Sequence, residues 1–335
     1  MLVTTEPHVG TQPALTTTVA KEYVHRTSLS EVFLTGWRET GPDTFTVTAQ
    51  WPRSHSFYTN DHHTHDPLLL CETIRQTFPL LTHTAYNVPF GHQLSWSHFQ
   101  FQLNPHAMRI ELTPAEIELH VTATDIRYHR NLPASMTMHF TAHRNGQPLA
   151  TATTHFHCHN PNVYQRLRAG RAETTHQFNN APPPPHPLTP TTAGRTHHHD
   201  IVLSPTPHPH HYQLRVDTHH PVLFDHPVDH VPGMLLLEAV RQATNTLTTP
   251  QKPHIITHMN ITFNRYVELD TPCYIHAHTT PTHNTHNPTT PTTPTTHPTN
   301  PTTHPINPTN PTTHHITATQ TNTTTFTAHT HTTPL

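Results

Sequence analysis

The sequence is poor in the residues that announce the commonest functions. Only 11% of its 335 residues are charged, and 17 Lys and Arg against 20 Asp and Glu leave a formal charge of −3. That balance offers no electrostatic footprint for nucleic acid or for an anionic membrane surface. No window approaches the ~18–20 consecutive apolar residues of a membrane span. The first thirty residues also lack the charged-then-apolar pattern of a secretory signal, so a cytoplasmic protein is expected. The three cysteines, Cys71, Cys158 and Cys273, are odd in number and widely spaced, which fits neither a disulfide framework nor a zinc-knuckle pattern. With 8 glycines the chain holds no glycine-rich phosphate loop, dinucleotide fingerprint or serine-centred elbow. No cofactor is expected.

What is abundant is equally lopsided: 41 His and 37 Pro beside only two lysines, Lys21 and Lys252. The favoured residues share codons that begin with A or C followed by A or C, so a nucleotide-level bias explains them as well as function does. The densest stretch, Thr282 to His315, has no apolar periodicity and a proline every few residues, and is expected to be an extended loop. Its histidines lack a tetrahedral ligand spacing, as does the HHHD run at His197–Asp200, and no metal site is expected.

Strand-like stretches with alternating or β-branched character occur at 43–51, 94–103, 115–128 and 135–159, the last with RNGQ at a tight turn. More follow at 211–219, 254–269, 272–280 and 314–332, the final pair resembling the hairpin that closes the first half. The proline-rich segment from Arg168 to Arg195 reads as an extended, semi-rigid linker. The chain therefore divides into a flexible N-terminus (1–20), a first domain (21–165), a linker (166–199) and a second domain (200–335) interrupted by the low-complexity loop at about 280–313.

One motif occurs twice. LLLCETIRQ at 68–76 and LLLEAVRQ at 235–242 each carry a glutamate, an arginine three residues on and a glutamine four on. Aligning Glu72 with Glu238 brings the halves into register, with Phe57 and Phe224 in equivalent loops, as an α+β duplication. LLLCETIRQTFPLL is apolar on every side, so its helix belongs in a core; Pro79 is expected to stop or kink it. One central helix enveloped by a curling antiparallel sheet, used twice, is a pair of tandem hot-dog domains. On such a helix Glu72, Arg75 and Gln76 share a face, as do Glu238, Arg241 and Gln242. Each buried ion costs several kcal/mol in desolvation, which points these groups at a cavity or an interface.

TAQWPRSHSF (48–57), DPLLLCETIRQ (66–76), VPFG (88–91) and DHVPGMLLLEAVRQ (229–242) resemble the A-factor biosynthesis family of γ-butyrolactone signal synthases, across roughly 21–165 and 200–275. The resemblance implies an acyltransferase that moves a β-ketoacyl group from an acyl carrier protein to the hydroxyl of dihydroxyacetone phosphate. The second half is also similar to hot-dog dehydratases around VPGMLLLEA, where Glu238 matches their helix glutamate and His226 or His230 approximates their loop histidine. A dehydratase or thioesterase acting on carrier-bound chains, or an acyl-binding module without catalysis, are the alternatives.

Transfer from thioester to alcohol needs a base, donors for the developing oxyanion and a cation for the acceptor's phosphate. Glu72 is the expected base, its pKa raised by burial, and Arg241 the expected anion partner, so that each half completes the other's pocket in an intramolecular pseudo-dimer. Backbone N–H groups near Asp66–Pro67 or Pro232–Gly233 are expected to bind the oxyanion. Arg75, Glu238, Arg53 and His55 are further candidates. Cys71 is expected to be a core thiol rather than a nucleophile, since no histidine is placed to activate it.

Overall fold

The computed structural model describes residues 17–59, 62–248, 253–280 and 312–335. Residues 1–16 of the expected flexible N-terminus and 281–311 of the low-complexity loop lie outside the described residues.

In the first half β1 (Leu34–Gly41) and β2 (Thr44–Trp51) precede the helix α1 (Pro67–Thr84), which is followed by β3 (Gln93–Leu103), β4 (Ala115–His129), β5 (Leu132–Arg144) and β6 (Gln147–His159). Three short helices, α2 (Pro161–Arg168), α3 (Thr174–Asn179) and α4 (Pro190–Ala193), lead to the second half. There β7 (Leu203–Pro205) and β8 (His211–Leu214) precede α5 (Gly233–Leu247), then β9 (His254–Phe263), β10 (Cys273–Thr280), β11 (Thr312–Gln320) and β12 (Thr323–Pro334).

Among the described residues the twelve strands form one sheet in the order β1-β2-β4-β5-β6-β3-β9-β12-β11-β10-β8-β7. The second half repeats the first in mirrored order across the β3–β9 seam, where Phe99 faces Ile261 and Gln100 faces Asn260. Period-two alternation decides which face is covered: Ala115, Ile117, Leu119 and Val121 of β4 are buried while the residues between them are exposed. The two late hairpins have matching turns, Asn145–Gly146 and Thr321–Asn322, all four residues with positive φ. That geometry matches the twist of the flanking strands, and Asn and Gly adopt it at little cost.

The expectation of enclosed central helices holds. In α1 every residue except Arg75 and Thr84 is buried, and in α5 the buried face runs from Met234 to Val240 and on through Gln242 to Thr244. Asp66 caps α1 by accepting from the Leu68 N–H, with Pro67 in the first turn. Contrary to expectation, Pro79 neither ends nor interrupts α1, which continues to Thr84. The missing N–H costs one bond, and burial on all sides outweighs it.

The segment after Arg168 is also more ordered than an extended linker. Just before it Asn160, with Pro161 behind it, caps α2; within it Thr189 with Pro190 caps α4, and the longest run without helix or strand is 181–189. These prolines occupy first-turn positions, where the absent N–H costs nothing. Strand β1 had no signal in the sequence because it is an edge strand with most of its residues partly or fully exposed.

Candidate active site

The duplicated motif builds two equivalent networks. Glu72 is fully buried and accepts from Arg26 Nε at 3.0 Å, from Arg75 Nε and Nη2 at 2.8 and 2.7 Å, and from Gln76 Nε2 at 2.7 Å. Glu238, equally buried, accepts from Arg195 Nε at 2.8 Å, from Arg241 Nε and Nη2 at 2.9 Å each, and from Gln242 Nε2 at 2.5 Å. Gln76 bridges onward to the Glu31 carbonyl and the Phe33 N–H, as Gln242 does to the Asp200 carbonyl and the Val202 N–H.

The expected elevation of the Glu72 pKa is reversed. Burial alone would raise it, but the charges of Arg26 and Arg75, with hydrogen bonds from Arg75 and Gln76, hold the carboxyl down to about 2. Glu238 is held down to about 2 by Arg195 and Arg241 against the same burial. A carboxylate so stabilised is a poor proton acceptor near neutrality.

Arg26 and Arg195 gave no signal in the sequence, because their partners lie 46 and 43 residues away. Both also reach across the halves: Arg26 Nη1 donates to the Val222 carbonyl at 3.1 Å, and Arg195 Nη1 to the Phe57 carbonyl at 2.5 Å. The equivalent of Phe57 is thus Val222 rather than Phe224. His55 and His220 are matched in the same way. Each accepts at Nδ1 from two backbone N–H groups just downstream, and each turns Nε2 to a carboxylate, Glu31 at 3.3 Å and Asp200 at 3.2 Å. His55 therefore braces a turn.

Two clefts lie where the N-terminus of one central helix meets the motif arginine of the other. A cleft of about 540 Å³ is lined by Asp66 and Pro67 of α1 with Arg195 and Arg241. A larger cavity of about 850 Å³ is lined by Val231 and Gly233 at the start of α5, Arg75, Trp96, Phe78, Phe263, Leu236, Tyr266 and His230. The expected pairing of Glu72 with Arg241 does not form: Arg241 lines the cleft at the start of α1 and Arg75 the cavity at the start of α5. Glu72 and Glu238 line neither.

The helix starts differ in a way that decides what each cleft can bind. At α1 the Asp66 carboxylate accepts from the Leu68 N–H and sits 3.5 Å from Arg195 Nη1, so the site for an anion is already occupied by the protein's own. At α5 the cap is Pro232, which supplies no side-chain acceptor. The first N–H groups of α5 therefore remain available for an oxyanion. Gly233 is required by close approach: a Cβ there would stand 2.7 and 2.8 Å from two ring carbons of Trp96.

Beside this open helix start, His230 Nδ1 lies 2.7 Å from Asp229 Oδ1. Asp229 also accepts from the Tyr164 hydroxyl at 2.8 Å and from Arg168 Nε at 2.9 Å. Burial would raise its pKa, and the hydrogen bond and charge of His230, followed by Tyr164 and Arg168, bring it down to about 2. A carboxylate only accepts, so the neutral form of His230 has its proton on Nδ1 and its lone pair on Nε2. The Tyr266 ring packs against the imidazole, centroids 4.7 Å apart.

The remaining candidates are dispersed. Arg53 is exposed and donates to the Glu111 carbonyl at 3.0 Å. His226, 3.2 Å from Asp225, lines a smaller cleft of about 330 Å³ with Arg26 and Phe90. His25 lines that cleft and the large cavity alike; burial, with His83 next, pushes its pKa down to about 3. Cys71 is buried in the core and its thiol is pushed well up. Among the described residues no cluster of three or more metal-ligating side chains occurs, and no helix is long and apolar enough to cross a membrane.

Two central helices on one antiparallel sheet, in two repeats, are the architecture of tandem hot-dog domains. The chain belongs to the A-factor biosynthesis hotdog family, whose sequence profile matches residues 10–160 and 176–295. It is 45% identical over 267 residues to a 2-oxo-3-(phosphooxy)propyl 3-oxoalkanoate synthase of Streptomyces virginiae, covering 80% of this chain and 89% of the relative. A synthase of the same name from Streptomyces coelicolor is 37% identical over 259 residues, 77% of this chain and 81% of the relative. Among solved structures, a putative oleoyl thioesterase from Lactobacillus plantarum shares the fold with a TM-score of 0.50 at 11% identity, covering 88% of this chain and 98% of that one.

Proposed function

We propose that this chain is an acyltransferase that moves a β-ketoacyl group from acyl carrier protein to the primary hydroxyl of dihydroxyacetone phosphate, in γ-butyrolactone signal synthesis. The product of that transfer is a 2-oxo-3-(phosphooxy)propyl 3-oxoalkanoate, the compound for which the two Streptomyces relatives are named. The observation that carries the reading is the His230–Asp229 pair beside the uncapped start of α5, on the wall of the about 850 Å³ cavity.

In this mechanism His230 Nε2 takes the proton of the acceptor hydroxyl as its oxygen bonds to the thioester carbon. The carbonyl oxygen, now negative, is held by the first N–H groups of α5. Collapse of the tetrahedral species breaks the carbon–sulfur bond, and the departing thiolate recovers the proton from His230. Asp229 keeps the imidazole in the working tautomer and offsets its charge while it is protonated. Glu72, proposed from sequence as the base, acts instead through Arg75, which it holds against the cavity wall. The halves work as an intramolecular pseudo-dimer, since Arg75 comes from one and His230 from the other. The apolar wall of Trp96, Phe78, Phe263 and Leu236 receives the acyl chain.

The test is to incubate purified protein with a β-ketoacyl carrier protein, with and without dihydroxyacetone phosphate, and to follow products by mass spectrometry. Acceptor-dependent formation of a phosphorylated ester supports the transferase. Free acid or enoyl product would mean a thioesterase or dehydratase, and saturable binding without turnover a binding module.

A further inference from the structure

We propose that Arg265 is the anchor for the acceptor's phosphate group, an inference that rests on the acyl-transfer reading above. Arg265 follows β9 in a turn fixed by its own N–H, which donates to the Thr325 carbonyl at 3.1 Å. Its side chain is exposed and lines the about 850 Å³ cavity. The next residue, Tyr266, is the one whose ring packs on His230 at 4.7 Å. Arg265 and His230 thus line the same cavity.

Charge separates Arg265 from the other arginines of the cavity. Arg75 donates to Glu72 at 2.8 Å, Arg168 to Asp229 at 2.9 Å and to Glu268 at 2.7 Å, and Arg171 to Asp270 at 2.8 Å. Among the described residues no carboxylate contacts the Arg265 guanidinium. At any of the other three a phosphate dianion would share the guanidinium with a carboxylate and sit against its charge, whereas Arg265 can offer its whole fork of N–H donors. Thr323 lines the same cavity, and its hydroxyl can donate to a remaining phosphate oxygen.

Two phosphates enter such a reaction: the monoester of the acceptor and the diester in the prosthetic arm of the carrier protein. A three-carbon acceptor keeps its phosphate close to the hydroxyl that His230 deprotonates. The carrier's diester lies a full pantetheine length from the thioester. The acceptor is therefore the source assigned to Arg265.

The experiment compares wild type with Arg265→Ala and Arg265→Lys, using dihydroxyacetone phosphate or dihydroxyacetone as acceptor and β-ketoacyl carrier protein or a β-ketoacyl pantetheine thioester as donor. Arg265→Ala is expected to raise KM for dihydroxyacetone phosphate roughly 10–100-fold, to leave KM for the donor unchanged, and to match wild type when the acceptor lacks phosphate. Arg265→Lys should recover part of the loss. Equal loss on both acceptors, or an unchanged KM, would overturn the assignment. So would a defect that disappears with the pantetheine donor, since Arg265 would then serve the carrier arm. Calorimetric binding of dihydroxyacetone phosphate alone separates this inference from the reading beneath it. A wild type that binds it but makes no ester refutes acyl transfer only, while equal binding by Arg265→Ala refutes the anchor only.

Discussion

His230 and Asp229 are adjacent in sequence, and their side chains meet at 2.7 Å beside the one central helix start that has no side-chain cap. In the first half the corresponding helix start is filled by Asp66. The duplication has thus left two clefts with different chemistry.

His230→Ala should lower kcat by about 10²–10⁴, the usual contribution of a positioned acid–base group, with little change in melting temperature because the imidazole is only partly buried. Steady-state transfer rates beside a thermal melt check this. A loss below tenfold would place the base elsewhere.

Asp66→Asn should leave transfer within a few fold, because Asp66 belongs to the cleft whose anion position is already occupied, while costing about 1 kcal/mol or more through the loss of charge beside buried Arg195, the amide oxygen still capping α1. Transfer assays and urea unfolding on one preparation measure both. Abolished transfer in a folded variant would move the active site to the start of α1.

Glu72→Gln should cost about 3–5 kcal/mol in urea unfolding, since it leaves Arg26 and Arg75 facing a neutral group in the interior. Adding Arg26→Met should restore part of that loss. Additive destabilisation in the double variant would contradict the pairing seen between Arg26 and Glu72.

Acid should unfold the protein over a defined window. Glu72 and Glu238 have folded values near 2 against an ordinary 4.5, so the stability they contribute is fully present above about 4.5 and is lost as pH falls toward 2. His25 adds to this from higher pH. The unfolded chain binds its proton near 6.5 and the native state only near 3, so protonation favours unfolding throughout that interval. Unfolding free energies at pH 7, 5 and 3.5 should fall at each step, and Glu72→Gln should flatten the last one.

Gly233→Ala should reduce transfer strongly, because the new Cβ can be accommodated only if the Trp96 ring, 2.7 Å away, moves within the cavity. Loss of turnover with a shifted tryptophan fluorescence is the expected pair of readouts. Wild-type turnover would show that the start of α5 is not in the site.

The repeated Glu-x-x-Arg-Gln, the alternation of β4 and the turn at Asn145–Gly146 could all be read directly, because each is a pattern within one element whose period matches its geometry. The role of Glu72 could not. Its pKa depends on Arg26, which stands 46 residues away and is brought in by the loops before β1. Pro190, expected in an extended linker, instead begins α4 for a related reason: a proline ends a helix or begins one according to the capping residue before it.

The sequence by itself determined the duplication, the two enclosed helices and the membership of a hot-dog family, since hydrophobic periodicity and a repeated motif are local and survive a biased composition. Only the tertiary structure decided which charges surround each motif glutamate and which helix start is self-capped. Whether a buried carboxylate is a base or a brace, and whether a helix start is open or self-capped, depends on which charges long-range packing brings within about 3 Å, where desolvation and ion pairing oppose each other.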